Sequence, residues 1–434
     1  MSVSTILQSY DTLEAQGFIE ARPQSGYYVK LRQDLQHKFD IKSNPRTAPR
    51  FIESDNALLD VIRSCGNTDL VALGGAVIHW SLLPAETLQK SLIKIARENI
   101  PECMKYERGV GAWPLRQLLA QRGSEMGCDL SAESVLITNG CMEAINLALK
   151  AVTKPGDTVA IETPTYYAML RALENLDLKI LELPASSQEG LDIDAFEEKL
   201  KKFSVAAALV TPNFLNPLGS LMPDENKERL VQLCAKHGVT LIEDDIYAEL
   251  KFQGARPLAL KAFDKKDQVI YCSSFSKTLS PGYRVGWIIP PKKLSEKIEI
   301  IKSSLSVTTN SPAQLAIADF FENHNYDRSL RKLRQTLAQN MHLIRQKVQL
   351  YFPEGTKVTS PEGGCLLWVE FPVEVKGLDL HRKALKEKIS VIPGPVFSAN
   401  SKYQNCIRLN CGNPWSEQID KALLRIGQLA HEMV

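Results

Sequence analysis

From about residue 57 onward, short apolar runs alternate with longer amphipathic stretches, and this alternation constrains the fold more than any other feature. The longer stretches, such as 142–152 and 226–236, have the apolar spacing of helices. Repeated strand–helix–strand units form a mostly parallel sheet with helices on its faces, so the sequence predicts an α/β fold. The apolar runs lie at 134–138, 158–162, 205–211, 240–244, 268–272 and 285–290.

The chain after about residue 312 has a different pattern. A long helical region at 312–350 precedes shorter strand-like runs at 365–371 and 407–410, and another helical pattern covers 416–433. These elements predict a smaller α+β unit beside the large sheet.

The composition excludes several classes of protein. Lys and Arg number 52 and Asp and Glu number 50, so a net charge of +2 provides no global attraction for nucleic acid or anionic membranes. Any DNA contact must come from a local patch. The nine cysteines are scattered without a CxxC pair, which indicates free thiols in a reducing cytoplasm and no structural zinc site. No apolar run reaches the roughly 18 residues of a membrane span, and no signal-peptide pattern opens the sequence.

The N-terminal residues 1–31 form a separate pattern. Residues 2–16 have amphipathic helical spacing, and turn residues join two short strand-like runs at 18–22 and 27–29. We therefore expect a helix followed by a β-hairpin. The polar, proline-containing stretch 32–56 is predicted to be a linker to the rest of the chain.

Polar residues follow several predicted strands, at the edge of the sheet where functional residues of α/β proteins collect. Most of these motifs, taken singly, have an ordinary explanation as a helix start, a loop, packed tyrosines or a surface lysine. Three consecutive carboxylates are harder to explain, since they repel one another and helix capping accounts for at most one. The motifs are Asn139-Gly140-Cys141, Tyr166-Tyr167, Asn216-Pro217, Glu243-Asp244-Asp245 and Ser273-Ser274-Phe275-Ser276-Lys277.

Taken together, these motifs resemble the class I and II aminotransferases, which are pyridoxal 5′-phosphate (PLP) enzymes of fold type I. The most specific match is the run from Ser274 to Trp287, SFSKTLSPGYRVGW. The resemblance covers about residues 70–430 and implies an aminotransferase-like domain over residues 57–434. The implied subdomains are a large one at about 100–311 and a small one formed by about 57–99 and 312–434.

The resemblance assigns PLP-binding roles to particular residues, and Lys277, Asp244 and Tyr247 are the implied catalytic ones. Lys277 would form the Schiff base with PLP, and Asp244 would pair with the protonated ring nitrogen. Tyr247 and Asn216 would hydrogen-bond the ring 3′-oxygen, and Arg284 would bind the phosphate through several bonds. The other implied PLP ligands are Ser274 and Ser276 at the phosphate, Gly140, Cys141 and Met142 at the helix start, and Tyr166 on the ring face.

The resemblance also implies a substrate site and a dimer. Arg408 would bind the α-carboxylate of an amino acid together with Asn216, and Gly75 belongs to a loop that closes over the substrate. Tyr106 would reach the phosphate of a neighbouring subunit, which implies a homodimer with shared sites. One departure from the family pattern is Cys141-Met142, which removes side-chain donors to the phosphate.

Residues 2–29 look like the second half of a GntR-type winged helix, with a recognition helix and a wing. A recognition helix places its first residues in the major groove, and wing residues touch phosphates. The first two helices of that domain are missing, so we expect operator binding only if an upstream segment supplies them. The implied DNA contacts are Ser2, Ser4, Thr5 and Gln8 in the helix and Arg22, Gln24, Ser25 and Gly26 in the wing.

A GntR-type winged helix linked to an aminotransferase-like domain is the layout of the MocR subfamily of bacterial regulators. The sequence therefore predicts a PLP-binding transcriptional regulator that senses an amino acid, an amine or PLP itself through a Schiff base on Lys277. The alternative is a cytosolic aminotransferase that transfers an amino group from an amino acid to a 2-oxo acid. A scaffold that binds no PLP is disfavoured, because Lys277, Asp244, Arg284 and Arg408 are all present.

Overall fold

The computed structural model separates the chain into two units, Met1–Lys38 and Phe39–Val434. The residues that it describes are 5–6, 9–10, 19–22, 26–29, 48–52, 61, 69–107 and 109–434.

The N-terminal unit contains the predicted β-hairpin. Strands β1 (Ile19–Arg22) and β2 (Gly26–Val29) pair antiparallel, with Arg22 opposite Gly26. Among the residues of the predicted helix, 5–6 and 9–10 are described and have helical backbone. The ring of Tyr10 stacks on that of Tyr27 with 4.7 Å between their centres. The hairpin prediction is confirmed, whereas the remainder of the predicted helix lies outside the described residues.

The second unit contains most of the secondary structure. Its strands are β3 Val71–Ala72, β4 Leu136–Thr138, β5 Thr158–Thr163, β6 Lys179–Ser186, β7 Gly190–Leu191, β8 Ala207–Val210, β9 Thr240–Asp244, β10 Val269–Ser274, β11 Gly286–Ile289, β12 Lys357–Val358, β13 Leu366–Glu370, β14 Ile389–Ser390, β15 Ile392–Pro393 and β16 Cys406–Asn410. Its helices are α1 Ala85–Glu98, α2 Ile100–Met104, α3 Trp113–Gln121, α4 Cys141–Val152, α5 Tyr167–Glu174, α6 Ile193–Leu200, α7 Asp224–His237, α8 Lys292–Leu305, α9 Ser311–Asn323, α10 Tyr326–Tyr351, α11 Gly377–Lys386 and α12 Glu417–His431.

An eight-stranded sheet forms the centre of the large subdomain, in the order β4-β11-β10-β9-β8-β5-β6-β7. The five strands from β10 to β6 are parallel, and β11 runs antiparallel to both of its neighbours. The predicted α/β class with a mostly parallel sheet is therefore confirmed. Because β5, β8, β9 and β10 run in the same direction, the polar residues that follow them meet at one edge of the sheet.

The small subdomain is built on a second sheet, in the order β12-β13-β16-β15. The long helix α10 buries residues at intervals of three and four, from Leu330 to Val348, and this apolar stripe faces the core. The predicted region 312–350 is interrupted, because α9 ends at Asn323 and the Oδ1 of Asn325 caps the next helix. No helix within the described ranges is long and apolar enough to cross a membrane.

The sequence pattern missed strand β6. This strand contains Pro184, which cannot donate to a ladder, and a buried charged residue, Glu182, and both features weaken a strand pattern. Glu182 is nevertheless satisfied, since its Oε1 accepts hydrogen bonds from the Ser398 hydroxyl and the Ala399 amide, both at 2.8 Å. A distant loop, which local patterns do not reveal, therefore makes this strand possible.

Residues 48–52, near the end of the predicted linker, lie on the large sheet. Arg50 forms an antiparallel bridge with Ile180, and its side chain donates to the carbonyl oxygen of Ala399. The Lys179 ammonium lies 5.6 Å from the ring centre of Phe51. The linker thus includes at least one segment that is bound to the domain it leads into.

Gly286 provides a test of this packing, because β11 passes directly beneath the start of α4. A Cβ at Gly286 would lie 2.5 Å from the carbonyl carbon of Gly140 and 2.8 Å from the amide nitrogen of Cys141. Replacing Gly286 with Ala should lower the free energy of unfolding by about 1–3 kcal/mol through overpacking, as measured by urea denaturation. The control is Gly282→Ala, where the nearest atom is Ser280 Oγ at 3.8 Å. Equal stability of the two variants would contradict the prediction.

Candidate functional site

Lys277 lies directly after β10, at the end of a short 3-10 turn formed by Phe275–Lys277. Its Nζ donates a hydrogen bond to the carbonyl oxygen of Ala76 at 2.6 Å and lies 5.6 Å from the ring centre of Tyr247. Burial lowers the pKa of Lys277, and the Arg408 guanidinium lowers it further. A lower pKa increases the fraction of neutral amine, which is the nucleophilic form.

The consecutive carboxylates at the end of β9 have separate partners. Glu243 accepts hydrogen bonds from the amides of Leu260 and Lys261 at 2.7 and 3.0 Å. Asp245 is buried in an ion pair with the Arg256 guanidinium. Both side chains therefore stabilise the fold, and neither is available to a ligand.

Asp244, the middle carboxylate, forms no ion pair with any residue that the structure describes. Its Oδ1 accepts a hydrogen bond from the Cys141 thiol, with 3.3 Å between sulfur and oxygen. Burial raises the pKa of Asp244 to about 6, and the charge of Asp245 adds to this rise, whereas Cys141 and Lys277 oppose it. A buried carboxylate that is still ionised at neutral pH is suited to pair with a cationic ligand group.

Arg408 is fully buried on β16. Its Nη1 donates to Asn216 Oδ1 at 2.9 Å, its Nη2 donates to the Gly74 carbonyl oxygen at 2.7 Å, and its guanidinium lies 5.0 Å from the ring centre of Phe397. Its Nε has no hydrogen-bond partner within the described part of the chain. A buried guanidinium with an unused donor is suited to bind a carboxylate.

The loop at residues 74–76 contacts both Lys277 and Arg408. The Gly74 carbonyl binds Arg408 and the Ala76 carbonyl binds Lys277, so the amine and the guanidinium face one short stretch of backbone. The loop is joined to β16 because the amide of Asn410 donates to the carbonyl preceding Gly74. A cleft of about 650 Å³ opens beside the loop. Its lining includes Gly75, Val77, Ile78, His79, Trp80 and Asn410.

The start of α4 and Arg284 form the other end of the site. Gly140, before the helix, has a left-handed φ of 85°, and no side chain caps the first amides from that position. Arg284 also has a left-handed φ, 54°, and its Nη2 donates to the Asn139 carbonyl at 3.0 Å. A Cβ at Gly140 would lie 2.3 Å from that nitrogen. A guanidinium beside uncapped helix amides is a suitable site for a phosphate.

The other predicted PLP-binding residues near Lys277 are buried or half-buried. Ser274 and Ser276 are buried beside Lys277, and the Ser274 hydroxyl accepts from the Ser276 amide at 3.3 Å. Tyr247 is 4% exposed, and burial raises its pKa well above the usual value. Tyr166 is half-buried at the start of α5.

Met142 and Tyr106 do not join this cluster through their side chains. The Met142 side chain is partly buried and packs against the hydrophobic cluster that contains the buried residues of α4. Tyr106 is 83% exposed. Its predicted role requires a second subunit and stays a prediction.

Sequence reasoning missed the residues that contribute through their backbone or their packing. The carbonyls of Gly74 and Ala76 orient the two cations, and Phe397 lies against Arg408. Carbonyl oxygens exist at every position, so no sequence signal could have identified these two. Phe397 follows a Gly-Pro turn in the small subdomain and carries no motif of its own.

The predicted DNA contacts belong to the N-terminal unit. Thr5 is exposed, and Arg22 and Gly26 pair across the hairpin. Their contacts with DNA stay predictions. Ser2, Ser4, Gln8, Gln24 and Ser25 lie outside the described residues.

The donor set fits a phosphorylated aromatic aldehyde better than a metal ion. Within the described ranges, no group of three His, Cys, Asp or Glu side chains could hold a metal. The site instead combines an amine of lowered pKa, a buried carboxylate that is hydrogen-bonded by a thiol, and a phosphate-type pocket. These are the groups that bind a reactive carbonyl, a ring nitrogen and a phosphate ester.

Comparison with known proteins gives the same result. The family described as aminotransferase class I and II matches residues 80–426. The chain is 36% identical to YdcR, an uncharacterized HTH-type transcriptional regulator of Escherichia coli (strain K12), over 100% of this chain and 92% of that protein. A second regulator of that strain, YjiR, is 33% identical over 99% of this chain and 91% of the relative.

Among solved structures, the α-aminoadipate aminotransferase LysN of Thermus thermophilus is similar, with a TM-score of 0.81 and 28% identity. The match covers 88% of this chain and 96% of LysN, which was solved with N-(5′-phosphopyridoxyl)-L-leucine. The predicted fold class and the resemblance to regulators with an aminotransferase-like domain are therefore confirmed.

Glu162 provides a test of the electrostatics near this edge of the sheet. It is buried at the end of β5, and burial raises its pKa to about 8, although the Thr211 amide donates to it at 2.8 Å. A raised pKa in the fold means that its contribution to stability decreases as the pH rises from about 4.5 to 8. Relative to Glu162→Gln, the native chain should therefore lose up to about 1.4 kcal/mol of unfolding free energy per pH unit.

The measurement is urea denaturation of both proteins at several pH values from 5.5 to 8. The control is Glu198→Gln, because the bond to Lys201 lowers the pKa of the exposed Glu198, so that it stays ionised over this range. A Glu162→Gln difference that does not change with pH would contradict the prediction.

Proposed function

The chain belongs to the aminotransferase class I and II family, and we propose that it is a PLP-dependent transcriptional regulator of the MocR type that senses an amino acid. The observation that carries this proposal is the pair of bonds from the 74–76 loop to Lys277 and Arg408. Both cations face one short loop, and the amino and carboxylate groups of an α-amino acid are separated by a single carbon. One such molecule could therefore place its carboxylate at Arg408 and its amino group where the Lys277 amine lies.

The residues of the site fit PLP at each of its functional groups. Lys277 would hold its aldehyde carbon, Asp244 its ring nitrogen, and Arg284 with the start of α4 its phosphate. When bound, PLP supplies an electron sink for reactions at the amino acid α-carbon. Asn216 and Tyr247 would then orient the ring oxygen, and Tyr166 would cover a ring face.

The chain is similar to transcriptional regulators along nearly its whole length, and this supports a regulatory function over a purely catalytic one. Two regulators match 99–100% of the chain, whereas the solved aminotransferase LysN matches 88%. The N-terminal hairpin fits the wing of a DNA-binding domain. We propose operator DNA as the partner of this N-terminal unit when the complete winged helix is present.

A working aminotransferase remains the second candidate, because Lys277, Asp244 and Arg408 are all retained. A transaminase assay with PLP, an amino acid and a 2-oxo acid distinguishes the two. We also propose a homodimer, because Ile100, Met104 and Tyr106 expose 58%, 82% and 83% of their surface in one short segment.

The first prediction of this proposal concerns Lys277. After incubation with PLP and reduction with borohydride, mass spectrometry should find the phosphopyridoxyl group on the peptide that contains Lys277, and Lys277→Ala should lose it. The matched control is Lys302→Met, because Lys302 is also buried, has a lowered pKa and donates to a carbonyl oxygen. Labelling that persists in Lys277→Ala would refute the proposed site.

The second prediction concerns Arg408 and uses two probes, L-alanine and ethylamine, which differ by the carboxylate. Arg408→Ala should weaken the binding of L-alanine to the PLP-loaded protein at least tenfold, since a charged hydrogen bond contributes about 1.5–3 kcal/mol. The affinity for ethylamine should change little. Spectrophotometric titration measures both constants. If Arg408→Ala weakened the binding of L-alanine and ethylamine equally, Arg408 would act through the fold and not on the carboxylate.

A further inference from the structure

Cys141 occupies the first position of α4, where the family pattern led us to expect the loss of a side-chain donor. Its thiol does not face the proposed phosphate pocket. It points across the ends of the strands to the Oδ1 of Asp244, 3.3 Å away. Cys141 is 5% exposed and Asp244 is 5% exposed, so both partners of this bond are shielded from water.

The backbone fixes the thiol in this place. Gly140 has a left-handed φ of 85°, and the helix starts immediately after it. Gly286 on β11 lies so close beneath Gly140 and Cys141 that a Cβ there would be 2.5 Å from the Gly140 carbonyl carbon. The first residue of α4 is therefore held close to the sheet, and its thiol reaches the end of β9 at Asp244.

We propose that Cys141 is a positioning residue whose thiol orients the Asp244 carboxylate and keeps it ionised to pair with the PLP ring nitrogen. This inference rests on the proposed function, because it requires PLP in the site. It adds a role that the sequence did not suggest, since the sequence implied only a backbone contact from Cys141.

The electrostatics of the site support this role. Burial raises the pKa of the Cys141 thiol well above its usual value, so the group keeps its proton and can donate at neutral pH. Burial and Asp245 raise the pKa of Asp244, while the bond from Cys141, the bond from the Ile246 amide and the charge of Lys277 lower it. The thiol thus opposes the protonation that would prevent Asp244 from pairing with a pyridinium. Other titratable groups near this pair are Cys272, Tyr247 and Glu162.

The test compares four variants with the native chain, each loaded with PLP that is labelled with ¹⁵N in the ring. Cys141→Ala and Cys141→Val remove the donor, and Val keeps the volume in case the Ala variant folds poorly. Cys141→Ser restores a hydroxyl donor. The matched control is Cys272→Ala, because Cys272 is buried on β10 directly beside Asp244 and forms no hydrogen bond to it in the structure. The readouts are the ¹⁵N chemical shift of the ring and the dissociation constant of PLP.

In Cys141→Ala and Cys141→Val, the ¹⁵N shift should move toward that of neutral pyridine and PLP should bind about two- to tenfold more weakly, as for the loss of one weak hydrogen bond. Cys141→Ser should restore both values, and Cys272→Ala should change neither. Native ¹⁵N shifts in the Ala and Val variants would overturn the inference, and so would an equal change in Cys272→Ala. If the native chain holds no PLP on Lys277, the proposed function itself fails, and the labelling experiment detects this separately.

Discussion

The site depends on the backbone of the 74–76 loop, which binds cations from both subdomains. Lys277 comes from the end of β10 in the large subdomain and Arg408 from β16 in the small one, and the carbonyls of Ala76 and Gly74 accept their hydrogen bonds. The loop is itself fixed to β16, since the Asn410 amide and side chain donate to carbonyls on both sides of it. Any shift of one subdomain against the other must therefore change at least one of these contacts, so the arrangement of the domain is coupled to this loop.

The second constraint on the structure is that buried carboxylates need hydrogen-bond or ion-pair partners. A buried carboxylate is costly unless it is paired or hydrogen-bonded, and the chain satisfies Glu243 with backbone amides and Asp245 with Arg256. Asp244 receives a weak thiol donor from Cys141 and a bond from the Ile246 amide, and its pKa still remains raised. Glu243, whose pKa burial raises to about 8, and Asp245 thus have fixed partners in the fold, whereas Asp244 forms no ion pair with any described residue.

The sequence predicted the sheet and most strand ends because these depend on local periodicity, whereas the roles of Lys277, Asp244 and Arg408 came from the resemblance to the aminotransferase family and stay predictions. Sequence reasoning failed where a distant contact decides the outcome. Strand β6 was missed because Glu182 and Pro184 weaken its pattern, and the loop at Ser398 that satisfies Glu182 is more than 200 residues away. The carbonyls of the 74–76 loop gave no signal at all, since every residue has one. The position of the Cys141 backbone likewise depends on the close approach of β11 to α4, which requires Gly286.

The bond from the Cys141 thiol to Asp244 also changes the interpretation of Cys141-Met142, where the chain departs from the family pattern. Read from the sequence, it removes side-chain donors from a phosphate pocket and weakens the site. In the structure, the uncapped amides of α4 and the Arg284 guanidinium remain at that pocket, and neither depends on the side chain at position 141. The backbone and one guanidinium can serve the phosphate, so position 141 is free to act on Asp244. A serine there could serve either group, whereas a buried thiol, a poor donor to a hydrated phosphate, commits the position to the carboxylate beneath it.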